Sequence, residues 1–291
     1  MLAIGLRLFA ILCLAIMVTA IKLAGQRGVH VMEILFYRQF LSLPLILIWL
    51  WAGPGITSVR TSRIGAHVSR TALGLTGMAL NFLAVTILPL AEATAISFTV
   101  PIFATILSAL VLKEATGIHR WSAVLLGFCG VLVMVGPNTG HFPPQGVAVA
   151  IGAAVMIAVT SIVLRQISRT EGVATTVFWF TMLSLPPLGV GLYFFGQNHD
   201  PVTWALLGLI GLAGGAGQLC LTGSLRWAPV AVVIPMDYTN LVWTTLLGWL
   251  IWNYWPSGTT WAGALLIVCS GLYIAWREQV RGRGLTNSRV D

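Results

Sequence analysis

Ten apolar runs, each about as long as a bilayer is thick, divide almost the whole chain between them. About 20 apolar residues suffice to span the hydrocarbon core, and the runs fall near residues 4–25, 32–53, 66–88, 90–112, 119–136, 145–165, 173–195, 202–224, 228–252 and 258–276. Turn signals or charges separate them, as at Gly53-Pro54-Gly55, Lys113-Glu114 and Gly136-Pro137-Asn138. Only 8% of the 291 residues are charged and 57% are hydrophobic, against about 25% charged in a soluble domain. The excess apolar surface must face lipid. The spacing predicts an all-α integral membrane protein of ten transmembrane helices.

The net charge of +8 raises nucleic acid as a partner, but the basic residues are scattered singly at the ends of apolar runs. That is how topology determinants are placed, so the expected partners are the lipid bilayer and a small-molecule substrate, with no nucleic acid. Arg7, Arg60, Arg63, Arg70, Lys113, Arg120, Arg165, Arg169, Arg226 and the tail arginines Arg277, Arg281, Arg283 and Arg289 fall on one side of a ten-helix trace. Lys22, Arg27 and Arg38 fall on the other. The imbalance puts both termini in the cytoplasm, with a basic tail, in the inner (plasma) membrane. The apolar run at the N-terminus is long enough to span, and no cleavage motif follows it, so it is expected to stay as a helix.

An odd number of helices per half inverts the second half relative to the first. The expected halves are 1–137 and 138–291, joined by the Gly- and Pro-rich link Thr139–Gln145. Two stretches mark corresponding places in them. Pro89–Phe103 (PLAEATAISFTVPIF) carries Glu92, Thr94, Ser97 and Pro101; Trp227–Trp243 (WAPVAVVIPMDYTNLVW) carries Pro229, Pro235 and Asp237. Proline inside a helix removes a donor and crowds the preceding turn. Paired breaks in two inverted repeats point to a transport site between them. Pro89, Pro101, Pro229 and Pro235 are therefore expected hinges or helix breaks; the plainer reading is that they only kink packing helices.

Asp237 is the deepest acid, with Tyr238, Thr239 and Asn240 beside it. Three roles suit it: holding a substrate ammonium, exchanging a proton, or bonding a helix break. Glu92 suits a solvated rim as well as a functional site. Lys22 and Arg38 suit attraction of a substrate carboxylate, or a mutual ion pair with Glu33. Cavity candidates are Asn81, Thr94, Ser97, Trp179, Gln218, Asp237, Tyr238, Asn240 and Trp243. Asn81 and Gln218 stand 137 residues apart, which suggests a pair across the repeat axis. Thr160 and Ser161 are further hydrogen-bonding candidates, and Phe178-Trp179-Phe180 suits an aromatic cavity or lipid-facing packing. Gly208, Gly211, Gly214, Gly215 and Gly217 form a stripe for close packing or for a sliding surface. The four cysteines have no disulfide or metal spacing, and no nucleotide loop is present. Neither cofactor, metal nor catalytic residues are expected.

The segments LPLAEATAISFTVPIFATILSALVLKE (Leu88–Glu114), HRWSAVLLGFCGVLVMVGP (His119–Pro137), APVAVVIPMDYTNLVWTTLLGWL (Ala228–Leu250) and TWAGALLIVCSGLYIAWRE (Thr260–Glu278), with EILFYR (Glu33–Arg38), resemble the drug/metabolite transporter superfamily in its ten-helix EamA branch. The resemblance covers nearly the whole chain and places Arg38 at the family's arginine. One departure stands at Asn253-Tyr254, where the family often has Gly-Glu. The resemblance implies a secondary carrier working by alternating access, as monomer or homodimer. Amino acid export, including aromatic and hydrophobic amino acids, is the first expectation. Uptake of a cofactor or nucleoside-like metabolite is the alternative, and a membrane-embedded enzyme the reading from another class.

Overall fold

The computed structural model describes residues 2–53, 55–111, 118–135, 143–227 and 235–287. Its elements are α1 (Leu2–Gln26), α2 (Val31–Ala52), α3 (Ile64–Ile87), α4 (Leu90–Ser97), α5 (Val100–Val111), α6 (Ile118–Val135), α7 (Pro144–Ile167), α8 (Val173–Phe195), α9 (Pro201–Trp227), α10 (Thr239–Trp252) and α11 (Gly258–Asn287), with a single 3₁₀ turn, Ile56–Val59, between α2 and α3. No strand occurs among the described residues. Among the described residues eight spans are long and apolar enough to cross a membrane, α4 and α5 counting as one, and Trp121–Val135 is a shorter apolar helix. The expected boundaries agree within a few residues, with two exceptions. Among its described residues the ninth crossing is helical on both sides of a turn at Tyr238. The last helix continues to Asn287, through residues read as a tail. Pro229, Lys113-Glu114 and the junction at Pro137 lie outside the described residues.

The turn between α1 and α2 illustrates how local chemistry sets the crossings. The Val29 N–H donates to the Ala24 carbonyl and the Gly28 N–H to Gly25, the paired bonds of a glycine-terminated helix end. Gly28 has φ 84°, a conformation that side chains with a Cβ disfavour. The His30 ring then accepts from Met32 N–H and starts α2.

Helix α1 packs on α9 and α3 on α7; α2 packs on α8 and α9, α3 also on α8; α10 packs on α1 and α4, α7 on α4 and α5, and α6 on α11. Exchanging the first five spans for the last five turns this set of neighbours into itself. The centre is filled by small and branched residues such as Ala10, Ala20, Ala24, Ala95, Ile21 and Ile34. Leu125, Leu132, Tyr193, Phe194 and Leu250 stand on the outer surface, each well over half exposed, as lipid-facing side chains do. Trp51, Trp204, Trp255 and Trp261 are exposed near helix ends, where interfacial tryptophans belong; Trp276, expected there too, is exposed but lies well inside the last helix. Cys13 is buried, whereas Cys129 and Cys269 are exposed on the outer surface; all four cysteines are free.

The glycine stripe of α9 is a packing surface. A Cβ at Gly211 would run into Leu41 and the Tyr37 carbonyl, at Gly215 into Leu45 and Ser42, and at Gly217 into Leu14. Gly208 departs from the stripe, with nothing near it.

Candidate functional site: two helix breaks, two latches and a basic cavity

The fourth crossing is interrupted at Phe98-Thr99, between α4 and α5. Pro101 sits in the first turn of α5, where its missing N–H costs no intrahelical bond. Carbonyls near the break are met by hydroxyls: Ser97 Oγ donates to Thr94 O (2.6 Å) and Thr99 Oγ1 to Ile96 O (2.7 Å). The ninth crossing turns at Tyr238, and Thr239 Oγ1 donates to Met236 O (2.7 Å). The second break therefore lies three residues beyond Pro235, the expected position; Pro235 itself is in the helical stretch before it. The breaks meet at their aromatic side chains: Phe98 and Tyr238 have ring centroids 4.8 Å apart.

On one side of this contact Arg7 clamps Asp237. Its Nε donates to Oδ1 at 2.6 Å and its Nη2 to Oδ2 at 2.5 Å, and Nη1 lies 3.5 Å from Leu221 O and Ser224 Oγ. Asp237 is thus not a free carboxylate, and Arg7 is more than a topology marker. On the other side Glu92, only 1% exposed, accepts from Tyr254 Oη (2.9 Å) and Thr260 Oγ1 (3.2 Å). The rim position considered for Glu92 is corrected by this burial. Burial, then the neighbouring carboxylate, raises the Tyr254 phenol above its usual range. Tyr254 follows Asn253, whose φ of 51° puts it in the left-handed conformation a glycine would adopt freely.

Lys22 explains Pro89. The proline has no N–H for the Val85 carbonyl, and Lys22 Nζ donates there (3.2 Å) and to Leu88 O (2.6 Å). Glu33 instead engages His199 Nε2 at 2.8 Å, and Arg38 donates to Gln39 Oε1. The expected Lys22–Glu33–Arg38 ion pair is not formed. Arg7 and Lys22 lie 15 residues apart on α1, roughly 22 Å along its axis, so the two clusters flank the breaks from opposite ends.

A cavity of about 50 Å³ lies between α2, α3, α8 and α9, lined by Arg38, Gln39, Ser42, Arg70, Phe180 and Gln218 among others. It has room for a few waters and for no cofactor-sized solute. Gln39 Nε2 donates to Ser184 Oγ (2.8 Å) and Ser42 Oγ to Gly211 O (3.1 Å). The Arg70 guanidinium sits 3.9 Å over the Phe180 ring.

Of the expected cavity residues, only Gln218 reaches this space. Asn81 and Ser97 share a separate cleft between α3, α4 and α7, so Asn81 and Gln218 are not a pair. Thr94 is buried and Trp243 half-buried. Asn240 has a buried Oδ1 without a partner. Trp179 is tied to the loop: its Nε1 donates to Val59 O (2.8 Å). Phe178 packs in a cluster around Ile46 and Leu50, leaving Phe180 as the one aromatic of that triplet on the cavity. Thr160 and Ser161 donate back to Met156 O and Ile157 O. Arg70 was missed because it stands near a helix end and reads as a topology charge.

The broken, paired crossings define a polytopic helical carrier. A model of the EamA-like transporter family matches residues 1–136 and 144–276, and the chain belongs to that family. It is 30% identical to a riboflavin transporter of Vibrio cholerae over 78% of this chain and 76% of the relative. It is 29% identical to an S-adenosylmethionine uptake transporter of Rickettsia prowazekii over 89% and 87%, and 28% identical to an uncharacterized transporter of Helicobacter pylori over 92% of each. A protein of solved crystal structure, 21% identical, superposes with a TM-score of 0.61 over 93% of this chain and 95% of that one; this likeness shows the fold alone. The chain is a multi-pass membrane transporter of small metabolites.

Proposed function

We propose that this transporter takes up a cofactor-sized metabolite across the bacterial inner membrane. The relatives that carry riboflavin and S-adenosylmethionine support this over amino acid export, the first expectation from the sequence. The observation that carries the mechanism is the contact of the two helix breaks, Phe98 on Tyr238, with a closed cluster on either side. Residues 1–137 and 138–291 act as two inverted five-helix halves, both termini inside, as a monomer or homodimer. The Arg7–Asp237 pair joins the halves at the cytoplasmic end. The Glu92–Tyr254–Thr260 bonds, with Trp252 Nε1 donating to Gln26 Oε1 (2.9 Å), join them at the outer end.

With both latches made, the cavity is too small for a cofactor-sized substrate, which fits a contracted form of the carrier. Opening one latch at a time admits substrate from one side only, which is alternating access. The test is counterflow in proteoliposomes with labelled S-adenosylmethionine, riboflavin and a panel of amino acids. Saturable exchange of a cofactor supports the reading. Amino acid exchange without cofactor exchange overturns it and restores export.

A further inference from the structure

We infer that the cavity between α2, α3, α8 and α9 binds the anionic group of the substrate, a carboxylate or phosphate, between Arg38 and Arg70. The inference rests on the carrier reading and names the class of metabolite it moves.

The placement of the two arginines comes first. Arg38 is seven residues into α2, about 10 Å, and Arg70 six residues into α3, about 9 Å. Consecutive crossings run in opposite directions, so the side chains approach from opposite faces and meet in one cavity at mid-depth. A charge at this depth is costly unless it is paired or serves function.

Among the described side chains neither arginine has an acid. The chain has eight Asp and Glu residues. Among the described side chains, Glu33 engages His199, Glu92 engages Tyr254 and Thr260, Glu171 accepts from Thr61, Asp200 contacts Arg27, and Asp237 is held by Arg7. Glu114, Glu278 and Asp291 lie outside them. Arg38 Nε, Arg70 Nε and Arg70 Nη1 are buried without a hydrogen-bond partner. Unmet buried donors on two cations form a site that lacks its anion.

The surroundings hold the arginines for that task. Gln39 Oε1 accepts from Arg38 and is itself fixed through Ser184. The Arg38 side chain lies along α9 beside Gly214, where an added Cβ would meet Met17 Sδ at 2.9 Å and touch Arg38 Cγ and Nε at 3.4 Å. Phe180 stacks under Arg70 in a space that a Cβ at Gly74 would crowd. A guanidinium stacked on its face keeps its edge free to fork two oxygens.

The experiment measures thermal stabilisation of the purified full-length protein by matched compounds differing in charge. The pairs are S-adenosylmethionine against its carboxyl methyl ester, and riboflavin 5′-phosphate against riboflavin. Wild type is expected to bind the compound bearing the anionic group in at least one pair about tenfold or more tightly than the partner lacking it. Arg38→Gln and Arg70→Gln are each expected to remove that preference, while Arg38→Lys keeps part of it. Without ligand the Gln variants should unfold no lower than wild type, because each removes an unpaired buried charge; a merely structural arginine would lower the midpoint. Equal binding of the partners with and without the anionic group, binding of none of the four, or a preference that survives both Gln variants overturns the inference. Counterflow of the same compounds keeps the two readings apart. Acid-selective binding without flux sinks the uptake reading and leaves the anion site, whereas arginine-independent flux of a neutral compound does the reverse.

Discussion

Asp237 shows how far a single residue's role depends on a partner the chain brings from 230 positions away. Removing its charge strands Arg7, which is 8% exposed, and breaking such a pair costs about 2–5 kcal/mol; with the Asp237 side chain 38% exposed the lower end is expected. Asp237→Asn should lower the thermal midpoint of the purified protein, and Arg7→Gln combined with it should recover part of the loss. A single variant as stable as wild type would show that the clamp holds nothing. Asp200 gives a pH prediction at the same scale. The Thr203 hydroxyl, followed by Arg27, holds its carboxyl below the ordinary value of 3.8. A folded value below the unfolded one means the carboxylate stabilises the fold above pH 3.8 and stops doing so as pH falls through the folded value. Asp200→Asn should therefore unfold slightly below wild type at pH 6, and the gap should close under strongly acidic conditions; a gap constant with pH would contradict this. The site was least legible at this scale. Arg7 and Arg70 sit where topology charges sit, and nothing local distinguishes a charge that faces solvent from one that folds inward.

Elements were far more legible, because apolar length and flanking charge act locally. The fourth crossing was expected to break near Pro101 and does so three residues earlier, since a proline is tolerated in the first turn of the helix that follows it. The ninth was expected to break at Pro235 and instead turns at Tyr238, where the Thr239 hydroxyl meets the Met236 carbonyl and the Tyr238 ring packs on Phe98. The proline signals that a break exists; the hydroxyls and the opposing break decide where it falls. The segments Trp121–Val135 and Trp261–Ala275 meet through glycines. A Cβ on Gly130 would stand 2.7 Å from the Gly263 carbonyl, and one on Gly263 would be 2.8 Å from Met134 Cβ. The backbones of α6 and α11 thus touch, and Gly130→Leu must push them apart at a cost of about 1–3 kcal/mol or more. Loss of thermal stability in Gly130→Leu, against little change in Gly208→Leu where the space is open, is the expected contrast. Equal effects would place the α6–α11 contact elsewhere.

At the scale of the molecule, the latches matter because each joins one half to the other while the cavity stays buried between them. If transport needs each to open in turn, holding either one shut must stop exchange without unfolding the protein. The outer latch offers the test, since Gln26 and Trp252 meet across the halves and neither lines the cavity. In a variant with the four native cysteines replaced by serine or alanine, Gln26→Cys and Trp252→Cys would be joined by a short bifunctional thiol reagent cleavable by reductant. Counterflow in proteoliposomes is expected to fall to background on cross-linking and to return on reduction, with each single-cysteine variant unaffected by the reagent. The cross-linked protein should unfold at or above the wild-type midpoint, because the link adds a tie already present in the closed form. Exchange that continues at full rate with the link intact would mean that the outer ends of α1 and α10 move together, and that the path past Glu92 is opened by other helices.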